Sequence, residues 1–138
     1  QFIGSPIMNI LDCTVDNNGG TPMLILGHNV FRFPLSMSLF EYIRSKNIPD
    51  NQLAVGVRSE SVLVEREAKE NYVRTEVKII EPTGPHDFVD VKVGNRTIRA
   101  KTPSRYINKS DDFAWIKLEE QKLHFFDRRN GSSLIVRK

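Results

Sequence analysis

Hydrophobic and polar residues alternate with a period of two along the middle of the chain, which is typical of half-buried β-strands. Residues 73–79 place apolar side chains on one side and charged side chains on the other, and the pattern resumes in residues 89–93. Between them, residues 81–85 hold two prolines and a glycine, which predicts a turn. Gly94-Asn95 then predicts a tight hairpin into residues 97–101. The pattern predicts three consecutive antiparallel strands.

The rest of the chain predicts more short strands and one helix. Ser38 and Glu41 have the spacing of a capping box, while Asn47 and Pro49 supply a stop, which predicts a helix over residues 38–46. Asn130-Gly131 predicts a type I′ hairpin turn. The other predicted strands are residues 11–15, 23–26, 30–33, 53–57, 62–64, 113–118, 123–126 and 134–136. About ten short strands predict an all-β barrel or sandwich, with the helix covering one mouth.

The length of 138 residues predicts one domain. We interpret residues 1–10 as an ordered segment that leads into a barrel over residues 11–138. Because the first residue is Gln1, we expect the chain to be part of a longer polypeptide. The single cysteine, Cys13, excludes an internal disulfide and is expected to be a buried strand residue. No apolar run approaches the roughly 20 residues of a membrane-spanning helix.

Charge and motifs exclude several functions. The net charge is +3, and basic residues are scattered among acidic ones, which disfavours a nucleic-acid-binding surface. No lysine follows a glycine, so a phosphate-binding P-loop is absent from this sequence. His28, His86 and His124 are far apart, which makes a zinc site with Cys13 an unfavourable hypothesis. We therefore predict no catalytic residue, cofactor or metal site in the chain.

Three features are candidates for an interaction surface. Arg58 and Glu60 are two residues apart at a strand end, where they form either a solvated pair or part of an interface. Phe125 and Phe126 must point to opposite faces of a strand, so one ring lies in the core and the other requires an outer cover. The rigid turn at residues 81–85 is either a contact surface or a simple strand connection.

Four motifs, in order along the chain, resemble the C-terminal regulatory domain of maltose-type sugar ABC transporter ATPase subunits. Residues 2–9 resemble the linker into that domain, and residues 55–60 resemble its [VL]-G-[IV]-R-P-E motif, with Ser59 in place of proline. Residues 77–84 are similar to its V-x-x-[VI]-E-x-x-G segment. Residues 123–131 resemble its [LC]-H-[LV]-F-D…[TD]-G ending. The segment 33–50, with its helix, is longer and more helical than this family leads us to expect.

The resemblance implies an OB-fold-like (TOBE) β-barrel that follows an ATPase domain and has no catalysis of its own. ATP and Mg²⁺ would then bind in that ATPase domain, which would also contact the membrane subunits at the cytoplasmic face of the membrane. In the family, the regulatory domain pairs with its copy to tether two ATPase subunits, and in some members it receives regulatory proteins. The family ending places Phe126 at a contact-bearing position. The candidate interface residues are Arg58, Glu60, Glu81, Gly84, Phe126 and Asp127.

Two other functions remain open at this stage. The first is an oxyanion-binding barrel of the molybdate type, in which backbone N–H groups of turns hold the anion. The second is a nucleic-acid-binding OB-fold, which the scattered charge disfavours. The transported sugar cannot be named from this chain, because in the family other subunits select it.

Overall fold

A computed structural model of the protein describes residues 8–27 and 31–134. Within these ranges the chain is mostly β-structure with one α-helix, which confirms the predicted all-β, OB-fold-like class. The elements are β1 (Met8–Asp12), β2 (Thr14–Asp16), β3 (Met23–Leu26), β4 (Phe31–Pro34), α1 (Met37–Ser45), β5 (Leu53–Arg58), β6 (Val62–Glu65), β7 (Val73–Pro82), β8 (His86–Val93), β9 (Arg96–Pro103), β10 (Phe113–Leu118), β11 (His124–Asp127) and β12 (Ser132–Leu134).

The described strands form three antiparallel sheets. The first, which we call the β5 sheet, has the order β1-β5-β11-β12. The second, the barrel sheet, has the order β6-β10-β7-β8-β9, and its edge strands β6 and β9 contact each other. The third, the small sheet, has the order β2-β3-β4. The barrel sheet therefore curls back on itself, as expected of an OB-like barrel.

One side chain joins the β5 sheet to the edge of the barrel sheet. The amide of Asn9 accepts a hydrogen bond from the backbone N–H of Arg99 at 2.7 Å and donates to the carbonyl of Arg99 at 2.9 Å. It also donates to the carbonyl of Val57 at 3.0 Å. Edge-strand backbone groups that lack a partner are costly when buried, so Asn9 stabilises the junction.

The inward-facing strand residues pack into one hydrophobic core. Val89, Val91 and Val93 of β8 are fully buried, as their alternation with polar residues predicts. Leu39 and Ile43 of α1 pack against the same core, so the helix is held by tertiary contacts. Cys13 is buried between β1 and β2, and burial raises the pKa of its thiol. It is the buried residue that the sequence predicts.

The helix begins at a different cap from the predicted one. The N-cap is Ser36, whose hydroxyl accepts a hydrogen bond from Leu39 N at 3.3 Å, so the capping box of Ser38 and Glu41 is wrong. Glu120 accepts from the backbone N–H of Ser36 at 2.8 Å and from its hydroxyl at 2.6 Å. The carboxylate that stabilises this helix end comes from the turn between β10 and β11.

The hairpin between β11 and β12 also differs from its prediction. A type I′ turn requires positive φ angles at both central residues, and only Gly131 adopts one, at 72°. The connection is instead a four-residue loop over residues 128–131, because the carbonyl of Asp127 accepts from both Asn130 N and Gly131 N. The Gly94 turn between β8 and β9 forms as predicted, with φ 63° at Gly94.

Several strand boundaries shift. The predicted strand over residues 11–15 is divided at Cys13 into the end of β1 and β2, so that the chain passes from one sheet to another. Strand β7 continues to Pro82, which places Glu81 and Pro82 in the strand and confines the turn to residues 83–85. Strand β1 begins at Met8, inside the predicted leading segment. Four predicted features lie outside the described residues: the linker motif up to residue 7, His28, the start of the predicted strand at residue 30, and residues 135–136.

Candidate functional site

The outward side of the β5 sheet carries an apolar surface built over a glycine. Val55 and Val57 of β5 point into the core and are fully buried, so Gly56 between them lies on the outward side. A Cβ added to Gly56 would lie 2.8 Å from Sδ of Met8 and 3.0 Å from Cε2 of Phe126. Met8 and Phe126 therefore fill the space that a larger residue at position 56 would occupy.

The neighbouring strands extend this surface. Ile10 on β1 and His124 on β11 both pair with Gly56, from opposite sides. Ile10 is 42% exposed, a large value for an isoleucine in a sheet. We call the set Met8, Ile10, Ala54, Gly56, His124 and Phe126 the outer face.

Phe125 and Phe126 divide as the sequence requires. Phe125 is 1% exposed and belongs to the core, whereas Phe126 is half-buried on the outer face opposite Ala54. Phe126, which the resemblance places at a contact-bearing position, thus points outward.

Arg58 and Glu60 lie at one end of the outer face. Arg58 ends β5 and pairs with Met8, and it forms no ion pair with any residue that the structure describes. Glu60 is exposed on a 3-10 turn, Ser59–Ser61, which contacts β9. Ser59 and Ser61 are buried beneath it. Arg58 therefore places a charged group at the end of the apolar surface, while Glu60 lies on the turn that packs against β9.

Glu81 belongs to a cluster around Arg99, which the sequence analysis did not identify. Nη1 of Arg99 lies 2.9 Å from Oε1 of Glu81, and its Nε lies 2.9 Å from Oδ1 of Asp90. The guanidinium carbon lies 5.2 Å from the centre of the Phe88 ring. Hydrogen bonding to Asp90 is the main cause that raises the pKa of Arg99. Because Asn9 bonds to the backbone of Arg99, this cluster adjoins β1.

Neither Gly84 nor Asp127 belongs to the outer face: Gly84 lies in an exposed turn, and the Asp127 carboxylate is buried. Gly84 is exposed at the turn between β7 and β8, with φ 104° and open space around it. The carboxylate of Asp127 is 8% exposed and accepts from the backbone N, Nε and Nη2 of Arg129. Hydrogen bonding to Arg129 lowers the pKa of Asp127. In this structure Asp127 organises the β11–β12 loop.

The described residues contain no group of three or more His, Cys, Asp or Glu residues placed to hold a metal ion. They also contain no helix of the length and hydrophobicity needed to span a membrane.

Curated proteins of one functional class match nearly the whole chain. The chain is 28% identical to the trehalose/maltose import ATP-binding protein MalK of Thermococcus litoralis, over 96% of this chain and 36% of that protein. It is 26% identical to the multiple sugar-binding transport ATP-binding protein MsmK of Streptococcus mutans, over 96% of this chain and 35% of that protein. The sn-glycerol-3-phosphate import ATP-binding protein UgpC of Shigella boydii is 27% identical over 95% of the chain. The chain resembles importer ATP-binding subunits.

These matches confirm the resemblance predicted from the motifs. Each match covers only a segment of the relative. The chain spans about a third of the length of the relatives that it matches. No protein-family model matches the chain.

A solved structure supports the fold. The molybdate-bound cytoplasmic protein ModG superposes with a TM-score of 0.58 at 13% identity, over 91% of this chain and 98% of that one. At this identity the likeness shows the fold alone.

Proposed function

We propose that the chain is the regulatory and dimerisation domain of the ATP-binding subunit of a sugar ABC importer. Its likeness to such subunits over 96% of its length supports the assignment to this class. The dimerisation role rests on one observation, which is the apolar outer face with its partly exposed Ile10 and Phe126. In this proposal two copies pair through their outer faces and tether two ATPase subunits while these separate and close.

The composition of the outer face suits a two-fold contact. Met8, Ile10 and Phe126 supply apolar area, and the small residues Ala54 and Gly56 beneath them let Met8 and Phe126 lie close to the sheet. In a two-fold interface each residue acts in both copies, so each apolar side chain contributes twice. Arg58 and Glu60 would then lie at the polar rim, where opposite charges on the two copies set the orientation.

The remaining roles follow from the same proposal. The chain has no catalysis of its own, and ATP and Mg²⁺ bind in the ATPase domain of the full-length subunit. That domain contacts the membrane subunits, which places the assembly at the cytoplasmic face of the membrane. Regulatory proteins are further candidate partners. Saturable ATP binding by this chain alone, measured by calorimetry, would contradict the proposed division of roles.

Sedimentation of the chain over a concentration series tests the dimerisation role. We expect association to increase with concentration, and we expect Ile10→Lys to weaken it at least tenfold because each copy would then bring an unpaired lysine into the apolar contact. Ser104→Lys adds the same charge at an exposed loop position and serves as the control. Equal association of both variants would show that the outer face is not the contact.

An oxyanion-binding barrel is the second candidate, because the superposed ModG is a molybdate-binding protein. A calorimetric titration with molybdate distinguishes it, since the regulatory domain proposed above has no need to bind this anion. A nucleic-acid-binding barrel has less support because the basic residues are scattered among acidic ones.

A further inference from the structure

A cleft of about 510 Å³ lies where the three sheets meet. Its floor is apolar and includes Ile25 of the small sheet and Val93 of the barrel sheet, which are 5% and 0% exposed. Its rim is polar and contains Asp12, Thr14, Asp50, Asn51, Asn95 and Arg96. An apolar floor with a few convergent polar groups, in a volume between about 300 and 1,000 Å³, is typical of small-molecule sites.

Charges of both signs surround the cleft. Arg128 forms an ion pair with Asp12 and so neutralises one of the two rim carboxylates. Asp50 lies 3.9 Å from Arg44, a distance at which the pairing is weak and exposed. Arg96 brings one positive charge to the opposite rim. The rim therefore carries charged groups of both signs, and each of them can also form a hydrogen bond with a neutral ligand.

The hydrogen-bonding groups of the rim are largely available. Arg96 donates to the carbonyl of Ile10 at 3.4 Å and forms no ion pair with any residue that the structure describes. The amides of Asn51 and Asn95 each offer a donor and an acceptor, and Asp50 offers a carboxylate. Hydroxyl groups are the ligand groups that match such a mixture, because each one both donates and accepts.

We propose that this cleft binds a neutral polyhydroxy compound of the sugar class and that binding changes self-association through the outer face. The second part rests on the proposed dimerisation role. Strand β1 connects the two sites, because Asp12 lies on the cleft rim while Met8 and Ile10 lie on the outer face. Arg96 bonds to the backbone of Ile10 itself. A ligand that engages Arg96 and Asp12 therefore acts directly on the strand that carries the contact surface.

Calorimetric titration of the chain with maltose and with trehalose tests the site. We expect saturable binding of at least one sugar, weakened about tenfold or more by Arg96→Ala and by Asn51→Ala, because each removes hydrogen bonds to hydroxyls. Lys109→Ala, an exposed cation in the loop between β9 and β10, is the matched control and should bind normally. Unchanged thermal unfolding of the three variants establishes that each is folded.

Two outcomes overturn the binding site. The first is no saturable heat with either sugar up to about 10 mM, a concentration at which even a weak complex forms. The second is binding of molybdate that Arg96→Ala abolishes, which would make the cleft an anion site.

Sedimentation with and without the sugar that binds tests the coupling. We expect the dimerisation constant to change, and linkage requires the monomer and the dimer to bind the sugar with different affinities. With one site per copy, saturating sugar changes the dimerisation constant by the square of that affinity ratio. An unchanged constant in a chain that both dimerises and binds sugar overturns the coupling. A chain that binds sugar but stays monomeric supports the site and contradicts the dimerisation role, so the two failures are distinguishable.

Discussion

Gly27 and Gly94 meet backbone to backbone where the small sheet touches the barrel sheet. A Cβ added to Gly94 would lie 2.8 Å from Cα of Gly27, and one added to Gly27 would lie 3.2 Å from the amide nitrogen of Gly94. Both residues also have positive φ angles, 62° for Gly27 and 63° for Gly94. The hairpin between β8 and β9 can reach the end of β3 only because both positions lack a side chain.

This contact predicts that Gly94→Ala destabilises the fold by about 2 kcal/mol or more, from the left-handed backbone and the clash together. Gly131→Ala is the matched control, because Gly131 has φ 72° but nothing within 4 Å of its Cβ position. It should lose only about 1 kcal/mol. Urea unfolding of both variants gives the comparison. If Gly94→Ala loses no more stability than the control, the hairpin can move away from Gly27 easily.

Local patterns in the sequence predict most of the strands, though not all their boundaries, and part of the candidate surface. Alternation predicts Val89 and Val91 in the core, and the Gly94-Asn95 turn predicts the hairpin in which Asp90 is found opposite Arg99. The register of this hairpin is the signal in the sequence that points to the Arg99 cluster.

Contacts between distant segments account for what the sequence did not predict. Glu120 bonds to Ser36 across 84 residues, and Asn9 bonds to Arg99 across 90 residues. No local signal identifies such partners, because each arises only after the sheets have assembled. The outer face has the same origin, since Met8, Gly56 and Phe126 come from three strands.

The Asp127–Arg129 pair predicts a pH-dependent contribution to stability. The pKa of Asp127 in the folded chain is lowered from its ordinary value near 3.8, so the folded state favours the ionised carboxylate. The contribution is fully present above the unfolded pKa and is lost as the pH falls through the folded pKa. We expect wild type to be more stable than Asp127→Asn at pH 7, and we expect the difference to shrink below about pH 4.

Urea midpoints of both proteins between about pH 3 and pH 7 provide the measurement, and the difference between them removes the effect of the other carboxylates. A difference that stays constant over this range would show that Asp127 acts through its shape and not through its charge.

Ser59 occupies a position that is compatible with proline. It opens the 3-10 turn Ser59–Ser61, and the preceding Arg58 has φ −73° and ψ 151°, an extended conformation that a following proline favours. Ser59→Pro should therefore leave the free energy of unfolding unchanged or raise it by up to about 1 kcal/mol, by restricting the unfolded chain. Thermal and urea unfolding check this. A clear loss would mean that the buried site cannot accept the proline ring.

Phe126 is the residue whose truncation should affect assembly more than folding. Its ring lies on the outer face beside Met8, over the space left by Gly56, while the core contact of this strand is made by Phe125. An aromatic residue at the centre of an interface typically contributes at least about 2 kcal/mol, roughly thirtyfold in affinity. Two copies of Phe126→Ala remove two such rings, so the dimer should shift strongly towards monomer.

Phe125→Ala is the matched control, because it removes the same ring from the adjacent position but from the other side of the sheet. It should lower the free energy of unfolding by about 3–5 kcal/mol, whereas Phe126→Ala should keep the wild-type circular dichroism spectrum. Sedimentation and urea unfolding of wild type and both variants separate the two effects. If Phe126→Ala loses as much stability as Phe125→Ala and dimerises like wild type, Phe126 serves the fold. If wild type remains monomeric at high micromolar concentration, the outer face does not dimerise in this chain.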